Sequence, residues 1–73
     1  MEKLIATHEM MGDDGAAYTV YEYQEFIDAS SMDGVEWLPG LKRLELANGL
    51  HVNHIDDDTF KVVVTGIILR RPS

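Results

Sequence analysis

The chain has 73 residues, thirteen acidic against six basic side chains for a formal charge of −7, and no cysteine. A chain of this length makes one small domain that buries only ~60% of the surface its unfolded form exposes. Without cysteine it has neither disulfides nor thiolate zinc sites, and its negative charge argues against nucleic acid or an anionic membrane as partner.

The N-terminal "MEKLIATHEM" has no apolar signal core and no cleavage site of small residues, and no apolar run approaches the ~20 residues of a membrane span. The expectation is a soluble, cytoplasmic protein. Charge is unevenly placed: residues 1–36 hold nine acidic and one basic side chain, net −8, and residues 37–73 four and five, net +1. The acidic half reads as a solvated face, with docking of a basic protein or mimicry of nucleic acid as the alternatives.

"KLIATHEMM" and "AAYTVYEYQEFID" are separated by "GDDG", whose glycines can take the positive φ of a reversal, so a first hairpin is expected. The second segment is strand-like in its tyrosines, Val20, Phe26 and Ile27. A helix over residues 20–30 competes, because Thr19 and Glu22 fit a capping box and Val20, Tyr23 and Ile27 fall on one helical face. Its aromatic and β-branched content favours a long strand with a bulge.

Residues 29–40, "ASSMDGVEWLPG", read as an irregular stretch closed by a type II turn at Pro39-Gly40. It holds Trp37, the only tryptophan, which either caps one end of the core or stays exposed as an anchor for a partner. Capping is the expectation, since so small a domain needs every large side chain.

The second half reads as a meander: "LKRLEL", "ANG", "LHVNHI", "DDDT", "FKVVVTGIILRR". A two-residue turn at Asn48-Gly49 would mix core and solvent residues on one face. A three-residue loop with Gly49 in a left-handed bulge position instead pairs Leu44 with Val52 and Leu46 with Leu50. The acidic loop likewise needs an odd number of residues, three or five, to put Phe60, Val62 and Val64 on that same face. Gly66 marks a bulge or bend before Ile67, Ile68 and Leu69.

Candidate chemistry centres on "HVNHIDDDTF". On a strand, His51 and His54 point to opposite sides and cannot share a metal. His51 is expected in solvent opposite Glu45, and His54 at the rim of the core near Asp56 or Lys42. The three aspartates offer oxygen ligands but do not follow the EF-hand spacing, and they read as a turn held by side-chain acceptors. A weak metal alternative joins His54, Asp56 and Asp58.

No nucleophile–base spacing is present for Ser30 or Ser31, "GDDG" would repel a phosphate, and the domain leaves little room for a pocket of ~300 Å³. No enzyme activity and no cofactor are expected. The tyrosines lack the basic groove of a base-stacking platform, so they read as cross-strand packing.

The expected architecture is all-β: about five antiparallel strands in meander order, forming a curved sheet or small open barrel, with α+β as the rival. The expected core is Leu4 or Ile5, Val20, Leu44, Leu46, Leu50, Val52, Phe60, Val62 and Val64. The expected function is a non-catalytic protein-interaction or accessory module, binding another protein or itself as a homodimer through Trp37, Tyr21 and Tyr23. The alternative is a small-ligand or divalent-ion binder using the loop at residues 56–58.

Overall fold

The computed structural model describes residues 1–31 and 34–72. Six strands follow one another as β1 (Glu2–Gly12), β2 (Ala17–Asp28), β3 (Trp37–Leu46), β4 (His51–Asp56), β5 (Thr59–Val62) and β6 (Ile68–Arg70). Each pairs antiparallel with the next, and β6 returns to β1 to close a small barrel. The all-β meander read from the sequence is thus the fold.

The sixth strand arises at Gly66, which forms a full reversal and not a bend. At φ +75° Gly66 lets its N–H donate to the Val62 carbonyl at 2.8 Å, while the Val62 N–H donates to Ile67 at 2.9 Å. The chain then runs back with Phe60 opposite Leu69 and joins β1 through Met11↔Arg70 and Gly12↔Leu69. Within the barrel, closure removes sheet edges that would otherwise invite pairing with other chains.

The region weighed as a helix, residues 20–30, belongs to β2 as far as Asp28 and leaves the sheet there. β2 is paired on both sides, so its backbone groups are committed to two ladders. The side chains of the supposed capping box serve those ladders too: Thr19 donates to Glu9, and Glu22 meets His8. The expected bulge lies in the partners of β2, as one extra residue at Ile5 in β1 and one at Gly40-Leu41 in β3.

Pro39-Gly40 is not a turn. Pro39 sits in β3 opposite Phe26, where β3 has no second neighbour because β4 pairs with it only at Leu44 and Glu45. A strand with a free edge tolerates a residue without an N–H. The reversal instead uses Ser31 and Gly34, which exchange backbone hydrogen bonds of 2.9 and 3.1 Å; residues 32 and 33 of the expected irregular stretch lie outside the described residues. Gly40 lies close under Ile27: a Cβ there would come within 3.2 Å of Ile27 Cδ1, so that half-exposed side chain would have to shift slightly.

Met10, Val20, Leu44, Leu46, Val52, Phe60, Val62 and Leu69 form the core, with Leu50 packed against it. Three core expectations fail for one reason: the chain leaves the barrel at both places. The first residues of β1, the end of β2 and the start of β3 form a three-stranded arm, consistent with extents of 53 × 24 × 18 Å, and Leu4, Ile5 and Trp37 are carried out on it, exposed. Trp37 therefore does not cap the core. Val64 is 73% exposed because β5 ends at Val62 and the turn to β6 begins.

The loop registers follow the apolar faces. Leu44 pairs with Val52, Leu46 N–H donates to Leu50 at 2.9 Å, and Gly49 has φ +89°. In the acidic loop, His54↔Phe60 leaves five residues between, and a shift at Ile55 then brings Asp56 opposite Thr59. This keeps Thr59 out of the left-handed region.

Turn carboxylates hold the loops. Asp14 accepts from the Tyr18 hydroxyl at 2.6 Å and the Ala16 N–H at 3.0 Å, Asp28 accepts from Ser30, and Asp56 accepts from the Asp58 N–H at 2.9 Å. These bonds hold all three below the ordinary carboxylate range: chiefly Tyr18 for Asp14, the Ser30 hydroxyl for Asp28 and the Asp58 N–H for Asp56. A depressed carboxylate contributes stability that is present above its unfolded value, ~3.9, and is lost as pH falls through the lower native value. Thermal melts are therefore expected to lose midpoint below about pH 4, and less so in the Asp56→Asn variant; parallel profiles for variant and parent would contradict this.

Candidate functional site

β2 carries no extra residue, so its side chains alternate without a break and sort the arm into two faces. Val20, Glu22, Gln24 and Phe26 share the face that looks into the barrel, with Lys3, Lys42, Pro39 and Trp37 at cross-strand positions. Contacts agree: Lys3 Nζ lies 5.9 Å from the Phe26 ring, and buried Gln24 donates to the Gly40 carbonyl at 2.6 Å.

Tyr21, Tyr23 and Ile27 point outward, beside Leu4, Arg43 and Leu38. The Arg43 guanidinium stacks 4.4 Å over Tyr23, bonds Glu2 at 2.7 and 2.8 Å, and bonds Glu45. These carboxylates raise Arg43 above its ordinary pKa, Glu2 most, and Arg43 lowers Glu2 in turn. Around this ionic knot Leu4, Ile27, Leu38 and Leu41 are between 45% and 81% exposed. The three residues expected to bind a partner are thus divided: Tyr21 and Tyr23 share the outer apolar face, while half-exposed Trp37 lies on the inner one near the tip.

Where the arm leaves the barrel, the mouth is an open cleft of about 640 Å³ lined by His8, Glu22, Lys42, His54, Phe60 and Arg71 among others. The sequence reading left little room for such a pocket; the arm supplies it, because β2 and β3 continue past the strands facing them. His8 Nε2 and Glu22 Oε1 are 2.7 Å apart, with both side chains under one-fifth exposed. Lys42 Nζ lies 3.7 Å from the other Glu22 oxygen.

The terminal nitrogens of Arg71 reach His8 Nδ1 at 3.3 and 3.4 Å. A guanidinium only donates, so Nδ1 accepts and Nε2 carries the hydrogen given to Glu22. Arg71 also fastens the acidic loop: its Nε donates to the Asp57 carbonyl at 3.0 Å and lies 3.5 Å from Asp58 Oδ1. Phe60 forms the floor, with the His8 ring edge-on at 5.3 Å and the His54 ring tilted at 5.7 Å.

The weak metal set is not assembled. His54 Nε2 is 3.9 Å from Asp57, not beside Asp56 or Asp58; Asp56 is spent on the turn and Asp58 on Arg71. Among the described residues no group of three or more His, Asp or Glu side chains is arranged to hold a metal ion. His51 is exposed opposite Glu45, as expected, although Glu45 bonds Arg43.

Sequence reasoning passed over His8, weighed Glu22 within a helical capping box, and passed over Arg71. One signal was available for the first two: His8 keeps the phase of Met10, and Glu22 the phase of Val20, so each is a polar residue in the core-facing register of its strand. Among the described residues there is no helix long and apolar enough to cross a membrane. No family profile, curated protein or solved structure matches the chain.

Proposed function

We propose that the chain is a non-catalytic, cytoplasmic protein-interaction module that associates with a second copy of itself through the outer face of the arm. The observation that carries this reading is the imbalance of apolar surface. Among the described residues, twelve large hydrophobic side chains are exposed against eight buried ones, and eight of the twelve, including Leu4, Ile27, Leu38 and Leu41, lie on the arm or its tip. Of these, Leu4, Ile27 and Leu38 share the outer face with Tyr21 and Tyr23, and exposed apolar surface gathered on one face is what an interaction site presents.

A second copy answers the demand of the outer face. An isologous contact would lay the apolar band on itself, in the manner of most homodimers. The non-catalytic part of the reading is supported by His8, whose two ring nitrogens are both engaged, one by Glu22 and one by Arg71. Ile27 and Leu38 are a half-exposed cross-strand pair, so charging both leaves the barrel core untouched. Sedimentation of the parent chain from micromolar to hundreds of micromolar is expected to show a rising coefficient, and the Ile27→Glu/Leu38→Glu variant to remain monomeric. A parent chain that stays monomeric across this range overturns the proposal.

A further inference from the structure

We propose that the mouth of the barrel binds a small organic anion, a carboxylate or phosphate monoester carried on a planar apolar body. Three basic residues line the cleft, Lys42, Arg43 and Arg71, with His54 at its rim; the Arg43 guanidinium is committed to Glu2 and Glu45, which leaves Lys42 and Arg71. Glu22 already serves His8 with one oxygen and faces Lys42 with the other, while Asp57 is fully exposed on the loop.

The donors are under-used. Lys42 has three N–H groups and, at 3.7 Å from Glu22, an ion pair without a hydrogen bond. Arg71 spends its Nε on the Asp57 carbonyl, but its two terminal nitrogens, four N–H groups in all, meet only the Nδ1 of His8 at 3.3 and 3.4 Å. A guanidinium held by Nε, with two terminal N–H groups left beyond those directed at His8, can still donate to the oxygens of a carboxylate or phosphate.

The charge distribution agrees. In a chain of net −7, with thirteen acidic side chains, Glu22 and Asp57 are the only acidic residues among the described ones that line the cleft, against Lys42, Arg43 and Arg71. The surrounding acidity refuses a polyanion, which restricts the occupant to a small one. Below the polar rim, Phe60, Leu44 and Val52 offer an apolar floor, and the rings of His8 and His54 flank Phe60. A flat body is thereby favoured, within a volume usual for small-molecule sites.

The test uses the full chain, isotope-labelled, titrated separately with phenyl phosphate, benzoate, inorganic phosphate and benzyl alcohol while amide shifts are followed. Saturable shifts at His8, Glu22, His54, Phe60 and Arg71 are expected with phenyl phosphate or benzoate, whichever is tighter naming the head group. Inorganic phosphate, lacking the ring, is expected to bind at least tenfold more weakly. Arg71→Gln is expected to weaken binding at least tenfold. Because Arg71 also fastens the acidic loop, Lys42→Gln provides a second variant without that role, and a loss of threefold or more is expected. Absence of saturable shifts with both aromatic anions, equal shifts with the neutral alcohol, or undiminished binding in Lys42→Gln overturns the assignment.

Discussion

Replacing Phe60 by alanine is expected to lower the thermal midpoint of this domain by more than about 12 °C and to loosen the mouth of the barrel at the same time. Phe60 is 2% exposed and lies where the core meets the cleft, opposite His54 in β4 and Leu69 in β6. Truncating a buried phenylalanine costs about 3–5 kcal/mol through lost transfer energy and the cavity left behind. A chain of this size has a native stability of roughly 4–11 kcal/mol, so the loss is a large fraction of the whole. At about 4–8 °C per kcal/mol for small domains, the lower end of the cost already gives the stated shift. Phe60→Leu keeps most of the volume and is expected to lose much less, under about 1.5 kcal/mol. The rings of His8 and His54 give a local readout, since their proton resonances feel the Phe60 ring at 5.3 and 5.7 Å. Alanine melting within a few degrees of the parent would mean that the core is not organised around this residue.

Local chemistry was readable where it acts locally. The two central hairpins were legible because each loop length must keep Leu44, Leu46, Val52, Phe60 and Val62 on one face, and side-chain alternation leaves few ways to do so. β2 was legible from its tyrosines, Val20, Phe26 and Ile27. What the sequence concealed is long-range. Pairing of Gly12 with Leu69 closes the barrel across most of the chain, and nothing near either residue announces it. The arm was hidden for a related reason: Trp37 and Pro39-Gly40 carry the composition of a loop, and only the length of β2 beside them draws them into a strand. The cleft inherits the first difficulty, since Arg71 joins the His8–Glu22 pair of the first hairpin only after closure.

A second large effect separates the two apolar stretches that alternation alone treats alike. Leu69→Asp is expected to leave the chain unfolded at 25 °C, while Val64→Asp leaves its stability within about 0.5 kcal/mol of the parent. Both residues belong to the apolar run that follows Phe60, and a continuous strand would give Val64 the same face as Val62. The reversal at Gly66 breaks that equivalence. Leu69 is fully buried between β5 and β1, opposite Phe60 and Gly12, whereas Val64 is 73% exposed in the turn. An aspartate at position 69 forfeits the transfer energy of a buried leucine, about 2–5 kcal/mol for truncation alone. It also places a carboxylate among Met10, Phe60 and Val62, where an unpaired charge is far costlier still. In β6, only three residues long, there is no further pairing to absorb the loss. Circular dichroism and urea titration of both variants decide the matter: folded Leu69→Asp, or a Val64→Asp protein destabilised as strongly, would show that β5 runs on through Val64 and that the barrel closes some other way.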